Sequence, residues 1–271
     1  MRIIPDKMKT DKNEKINDHK IFPALEYYIE YYGLFSFGVM SFIPPGVHSF
    51  LNIDTYVYSS MQMSLDSIKN LLKLGRINDA YALVRKFHDS VIINIYYTLY
   101  IKNNIEQYNF IVDKINSWYL GKEKLPSFKS MKKYIENSPC LKDLNCVINF
   151  DKRYNIIREN CNNHVHYNSF DTMIKNDSII LDTHKERILD RLYFDILNLI
   201  IFHFSYIFLL NERYMSSSDY VDALECGLKP EERFRYYVAP YIQEFIDKII
   251  KANRKDIAEL IIENTSMKIN P

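Results

Sequence analysis

Two long stretches of helical apolar spacing, joined by only four residues, constrain the fold of this chain more than any other feature. Residues 54–74 place apolar side chains at steps of three and four, which predicts an α-helix with one apolar face. The same period resumes over 79–102. Gly75 opens the link and suits the left-handed backbone in which many helices end. Two long helices joined so closely must pack antiparallel, so the sequence predicts a helical hairpin.

Composition favours a helical over a β architecture. Of 271 residues, only 6 are glycine and 9 are proline, whereas sandwiches and barrels need many tight turns. Hydrophobic residues make up 47%, which is enough for a substantial core. The predicted helix over 184–211 is apolar nearly all round in its second half, which places it at the centre of a bundle. The predicted fold is all-α, a helical bundle built on the long antiparallel hairpin.

The order of these segments predicts three regions. Residues 1–50 hold a charged lead, a first helix and a proline-rich loop around the sequence PPG, which excludes a helix there. Residues 51–212 hold the bundle. Residues 213–271, which begin near a serine run, form a C-terminal helical extension.

Glycine and proline also predict where individual helices end. A helix over 22–32 is expected to stop at Gly33. In the C-terminal region, Pro230 suits the first turn of a helix, and Pro240 is expected to break or kink it. The lysine-rich stretch 129–133 is predicted to be a solvated loop.

Charge and cysteine usage narrow the functional class. The net charge of +1 excludes a globally basic nucleic-acid binder, but 35 cations and 34 anions can still be segregated into a local basic groove. The four cysteines lack CxxC spacing, so they resemble neither a zinc knuckle nor a disulfide framework. Free thiols of this kind are typical of a reducing cytoplasm.

No segment is predicted to enter a membrane. Residues 1–20 are charged and lack the apolar core of a signal peptide. Residues 192–210 have the length of a bilayer span but include Asp195 and His203, which are costly in lipid. We therefore predict a buried core helix with His203 as a hydrogen-bonded core histidine, and a soluble cytoplasmic protein.

The stretch Arg158–His164 reads RENCNNH and combines a permanent cation with a group that titrates near neutrality. Such a pair suits cleavage of a phosphodiester, because arginine neutralises phosphate oxygens and histidine moves protons near pH 7. The spacing alone is a weak signal, since it arises by chance about once in a chain with these Arg and His counts. Its position, after the hairpin and before the central apolar helix, makes it more specific.

The hairpin sequence over 65–97 and the later RENCNNH stretch together resemble HEPN-like proteins. The first resembles their initial helical hairpin, and the second resembles their Arg-x(4–6)-His element. HEPN proteins are helical bundles, often dimeric, and many are metal-independent ribonucleases of toxin–antitoxin, phage-defence and CRISPR systems. The resemblance covers about residues 54–210. One departure is Glu159, because active members often carry Asn, Asp or His after the arginine.

The resemblance implies a metal-independent endoribonuclease that needs no cofactor. Its substrate would be single-stranded or looped RNA, its assembly a homodimer, and a further partner an antitoxin or another regulatory protein. The role implied is that of a toxin or antiviral defence effector. The sequence leaves a second possibility open, a catalytically silent helical module that dimerises or binds a regulator.

The proposed reaction is attack of an RNA 2′-OH on the adjacent phosphate, with His164 as acid or base and Arg158 stabilising the phosphorane. On a regular helix, residues six apart lie about 240° apart around the axis, so these two side chains cannot share a face. Two arrangements would bring them together. The asparagine run could end or distort the helix between them, or a two-fold dimer could pair the arginine of one subunit with the histidine of the other.

Other residues are candidates for supporting this site. Two alternatives compete with catalysis. In the first, the element is a polar turn in which Arg158 pairs with Glu159 or Asp151. In the second, His164 and His166 bind a metal, although no third ligand is evident. Nearby tyrosines could stack RNA bases. His166 could act in place of His164 as the catalytic histidine, and the other supporting candidates are Asn160, Asn163, Glu159, Arg85, Asp89 and Tyr167.

Overall fold

A computed structural model describes residues 18–40, 53–105, 112–176 and 182–270. Across these ranges the backbone is helical, and β pairing is limited to isolated bridges between Ser216 and Val238 and between Tyr237 and Lys268. The prediction of an all-α protein is confirmed. The expected loop around the PPG sequence and most of the charged lead lie outside the described residues.

The helices are numbered in chain order. Their bounds are α1 Ile21–Met40, α2 Ile53–Lys73, α3 Ile77–Asn104, α4 Asp113–Tyr119, α5 Phe128–Glu136, α6 Lys142–Asp151, α7 Arg153–Val165, α8 Phe170–Met173, α9 Asp182–Leu210, α10 Asp219–Glu225, α11 Pro240–Phe245 and α12 Lys255–Glu263. Short 3₁₀ segments lie between several of them, and Ile246–Lys251 is a π-helix that directly follows α11.

The chain folds into two compact units. The first contains Met1–Gly33, Tyr58–Ser90 and Lys152–Ile200, and the second contains Leu34–Val57, Val91–Asp151 and Ile201–Pro271. Each unit is therefore assembled from separate stretches of sequence, because the long helices contribute residues to both. The three regions predicted from sequence are consecutive along the chain, so they do not coincide with these two units.

The predicted hairpin is present as α2 and α3. Gly75 adopts φ +71° in the link between them, the left-handed conformation expected at a helix end. Near the other end of the hairpin, the Asp54 carboxylate accepts hydrogen bonds from Asn94 (3.2 Å) and from the Tyr97 hydroxyl. A link at one end and side-chain contacts at the other show that the two helices run antiparallel.

The prediction that Gly33 ends the first helix is wrong, because α1 continues to Met40. A Cβ at Gly33 would lie 2.6 Å from the side-chain nitrogen of Gln62. The glycine thus permits close approach of α2 rather than a change of backbone direction. Beyond it, the buried Phe35 continues the apolar face of the helix.

Three other local predictions are also wrong. The lysine-rich stretch 129–133 belongs to α5, whose first turn is capped by the Ser127 hydroxyl. Pro240 starts α11 instead of breaking a helix, because proline lacks the N–H that a first helical position does not need. After Pro230, the chain forms only a short 3₁₀ segment, Glu232–Tyr236.

Helix α9 is the central apolar helix predicted from sequence. Residues Lys185–Leu210 are long and apolar enough to cross a bilayer, but 78% of the most apolar window is buried inside the protein. Burial of this kind is typical of the core helix of a soluble protein. His203 is fully buried, and its Nε2 lies 2.6 Å from the Asn94 side-chain oxygen, which confirms it as a hydrogen-bonded core histidine.

Because Gly75 has a left-handed backbone conformation, its replacement should reduce the stability of the fold. Gly75→Ala should lower the free energy of unfolding by about 1 kcal/mol, because an L side chain is strained at positive φ, although nothing lies within 4 Å of the added Cβ. Gly75→Asn should cost less, since asparagine tolerates this conformation. Urea denaturation measures both, and an alanine variant as stable as the wild type would contradict the explanation.

Candidate functional site

The residues singled out from sequence lie in the first unit, where α3 and α7 meet. Residues near the start of α7 contact the middle of α3, and residues near the end of α7 contact the start of α3, so the two helices run antiparallel. The contacts pair Tyr154 with His88, Arg158 with Asp89, Asn162 with Arg85, and His164 with both Tyr81 and Asn78. This series, called the α3–α7 ladder below, defines the geometry of the candidate site.

Asp89 lies between two guanidinium groups in the ladder. Arg85 forms an ion pair with it one turn away on α3, and the Arg158 Nε lies 3.9 Å from its Oδ1. Arg85 also donates a hydrogen bond from Nε to the Asn162 side-chain oxygen at 2.9 Å. The arginine side chains are 17% and 30% exposed, so this group of two cations and one anion is only partly screened by water.

The charges of Arg85, Arg158 and Asp89 act on one another. Desolvation and then the charge of Arg85 lower the pKa of Arg158, while Asp89 raises it. Burial alone would raise the pKa of Asp89, but hydrogen bonds from His88 and Arg85 outweigh it and the pKa is lowered. The lowered pKa keeps the Asp89 carboxylate ionised at neutral pH. Paired guanidinium groups of this kind suit phosphate oxygens.

His164 occupies a different environment near the C-terminal end of α7. Its side chain is nearly buried, with 7% of the residue exposed. The ring stacks on Tyr81 with centroids 3.7 Å apart, and Nδ1 lies 2.7 Å from the Asn78 side-chain oxygen. Desolvation, followed by the charges of Lys175 and Arg191, lowers its pKa to about 4. The imidazole is consequently neutral at pH 7.

The first arrangement proposed for Arg158 and His164 is wrong, because α7 is continuous from Arg153 to Val165. The asparagines do not break the helix because their side chains bond to other groups instead of to the local backbone. The Asn160 oxygen accepts from Arg191, and the Asn163 oxygen accepts from Asn168. Regular helix geometry separates Arg158 and His164 by about 9 Å along the axis and about 240° around it.

The remaining predicted residues fall at the edges of the site. Glu159 is exposed, and the carboxylate near Arg158 is Asp89, which lies on another helix. His166 is exposed and caps the end of α7. Tyr167 follows with φ +48° and a side chain that is 45% exposed. Arg85 and Asp89 therefore join Arg158, whereas His166 and Tyr167 lie beyond the helix end.

Two residues of the site, Asn78 and Tyr81, were missed from sequence. Asn78, Tyr81, Arg85 and His88 recur on α3 at steps of three and four, which is the spacing of one helix face. Asn78 and His88 are buried on this face. A polar stripe on a helix that is otherwise mostly apolar is the sequence signal that would have identified them, because buried polar groups need partners.

Among the described residues, no side chain joins His164 and His166 as a third metal ligand. Within the described ranges, no group of three or more His, Cys, Asp or Glu side chains could hold a metal ion. Cys161, also on α7, is buried, and burial raises its pKa to about 12. A thiol with so high a pKa is a poor nucleophile at neutral pH.

Comparisons with protein-family models, with curated proteins and with solved structures find no match for this chain. The α3–α7 ladder therefore has to be interpreted from its own chemistry.

The neutral state of His164 predicts a specific acid sensitivity. Its folded pKa of about 4 lies below the ordinary 6.5, so the unfolded chain binds more protons and stability is lost as pH falls from 6.5 towards 4. Each unit of pKa difference corresponds to about 1.4 kcal/mol. His164→Gln should flatten this pH dependence of the free energy of unfolding.

His166→Gln is the matched control, because His166 is exposed. Urea denaturation between pH 7 and pH 5 should give a wild-type slope for this variant. His88 and His203, whose pKa values burial lowers to about 4 and about 3, contribute equally in every variant. A His164→Gln slope equal to that of the wild type would contradict the assignment.

Proposed function

We propose that this protein is a metal-independent endoribonuclease with an HEPN-like helical bundle, acting as a toxin or antiviral defence effector. The observation that carries the proposal is the pair of guanidinium groups, Arg85 and Arg158, on either side of Asp89. The two guanidinium groups lie on a partly exposed helix face, with side-chain exposures of 17% and 30%. The neutral His164 lies farther along the same helix as Arg158.

In the proposed reaction, the 2′-oxygen of RNA attacks the adjacent phosphorus as an imidazole accepts the 2′-OH proton. The bond to the 5′-oxygen breaks, that oxygen takes up a proton, and the products are a 2′,3′-cyclic phosphate and a 5′-hydroxyl. His164 transfers the protons, and Arg158, supported by Arg85, stabilises the charge on the phosphorane oxygens. An unpaired RNA strand suits the site, because the exposed Tyr167 ring can stack a base.

The two catalytic groups are proposed to come from different subunits. Arg158 and His164 lie about 9 Å apart along one continuous helix and about 240° apart around its axis, which favours a site shared between two chains. In a homodimer with two-fold symmetry, Arg158 of the first subunit can lie beside His164 of the second. The symmetry then places His164 of the first subunit beside Arg158 of the second, at a second site. Each RNA phosphate would then bind Arg158 of one subunit and His164 of the other.

Burial of His164 favours a second candidate function, a catalytically silent helical module that dimerises or binds a regulatory protein. The ring is stacked on Tyr81 and bonded to Asn78, and only 7% of the residue is exposed. Contacts of this kind stabilise a core whether or not the histidine also reacts. In that case the positive charges of Arg85 and Arg158 would contribute to binding an acidic partner instead of RNA.

Cleavage of RNA in the absence of divalent metal tests the first candidate. His164→Ala should lower kcat by about 100-fold or more, the range typical of a lost acid–base group. Arg158→Ala should cost a comparable factor, since it removes charge stabilisation in the transition state. His166→Ala, which changes an exposed histidine two residues away, should retain wild-type activity.

Product ends should be 2′,3′-cyclic phosphates. Cleavage that is equal in the wild type and in the His164→Ala variant would assign the activity to a contaminant. A folded wild-type protein that cleaves neither total RNA nor unstructured oligonucleotides would favour the silent module.

Mixing two inactive variants tests the shared site. When Arg158→Ala and His164→Ala subunits exchange, half of the dimers are mixed, and each mixed dimer carries one intact composite site. About a quarter of the wild-type activity should then return, by the symmetry of a two-fold dimer. If both groups acted within one chain, mixing would restore nothing.

A further inference from the structure

We propose that Asn78 is a positioning residue that holds His164 in the tautomer protonated on Nδ1, so that the lone pair is on Nε2. The proposal deepens the ribonuclease function and rests on it for its catalytic meaning. The tautomer itself follows from hydrogen-bond chemistry and can be measured without any activity.

The orientation of the Asn78 amide is decided by backbone carbonyls. Its nitrogen lies 2.6 Å from the Thr172 carbonyl oxygen and 3.4 Å from that of Met173. A carbonyl oxygen only accepts hydrogen bonds, so the end of the amide that faces it must be the NH₂ group. The other end, Oδ1, therefore points at His164 Nδ1, 2.7 Å away.

The tautomer of His164 follows directly. The Asn78 Oδ1 is also only an acceptor, so the short contact forms a hydrogen bond only if Nδ1 carries the proton. In a neutral imidazole the second nitrogen then has the lone pair. Nε2 is consequently the atom that can accept a proton from a 2′-OH.

Asn78 is itself fixed by its surroundings. It is 3% exposed at the second residue of α3, where the backbone N–H has no acceptor within the helix. That N–H donates to the Asn176 side-chain oxygen at 2.8 Å, and the Asn176 amide donates to Asp79 at 3.3 Å. Tyr81 covers one face of the His164 ring at an interplanar angle of 9°. The stack fixes the ring plane, and Asn78 fixes its rotation within that plane.

The neutral amide of Asn78 affects the protonation of His164 differently from a carboxylate. An aspartate beside Nδ1 would favour the protonated imidazolium, whereas the asparagine amide directs the proton to Nδ1 without adding charge. The residues around the ring include cations, Lys175 and Arg191, and the carboxylate Asp171. Asn78 thus selects the basic nitrogen while leaving the histidine neutral.

Nitrogen NMR of the histidine rings in the full-length protein tests the tautomer at pH 7. His164 should show a protonated Nδ1 and an unprotonated Nε2, with its signals assigned by their loss in His164→Gln. The exposed His166 should show averaged tautomers and serves as an internal reference. A protonated Nε2, or averaged signals for His164, would overturn the proposal.

Two variants separate positioning from simple packing. Asn78→Ala removes the acceptor, so the His164 signals should become averaged and kcat should fall by about tenfold or more, with KM little changed, since acid–base catalysis loses its aligned base. Asn176→Ala removes the bond to the Asn78 backbone but leaves its side chain facing His164. This variant should keep the wild-type tautomer.

The outcomes distinguish the two proposals. A single Nδ1-protonated tautomer in a protein that cleaves no RNA would support the role of Asn78 and refute the ribonuclease. Cleavage of RNA by a wild type whose His164 is protonated on Nε2 would support the ribonuclease and refute the role of Asn78. If Asn78→Ala fails to fold, the wild-type spectrum alone still decides the tautomer.

Discussion

Antiparallel packing of α3 against α7 is the constraint on which the candidate site depends. The contact between Asn78 and His164 at one end and that between His88 and Tyr154 at the other fix the register of the two helices. Since a helix advances 1.5 Å per residue, a shift of even one residue would move Arg158 away from Asp89. Burial of a polar stripe is tolerated because the side chains along it have partners on the facing helix.

The ladder separates two kinds of electrostatic environment along one helix. Around Asp89, two guanidinium groups and one carboxylate remain charged and partly exposed. Nearer the end of α7, His164 is desolvated and neutral. A phosphate-binding group has to keep its charge, while a proton acceptor has to be uncharged before the reaction. Both environments occur on one pair of helices because burial increases from Asp89, with a side chain 37% exposed, to His164, 7% exposed.

Continuity of α7 has the largest consequence for function. A helix broken within the asparagine run would have allowed one chain to direct Arg158 and His164 at one phosphate. Because the helix is intact, the proposed reaction calls on a second subunit. The asparagines that suggested a break instead bond to residues elsewhere, such as Arg85 for Asn162, and these tertiary bonds outweigh their preference for caps and turns.

Local periodicity and turn chemistry were enough to determine the all-α class, the antiparallel hairpin with its left-handed Gly75, and the burial of the central apolar helix. These features depend on residues close together in sequence. Tertiary structure alone decided that Gly33 lies within a helix, that Asp89 is the carboxylate beside Arg158, and that Asn78 bonds to His164. Residues 78 and 164 are 86 positions apart, and only the packing of α3 on α7 brings them together, so no local pattern could reveal which nitrogen of the histidine carries the proton.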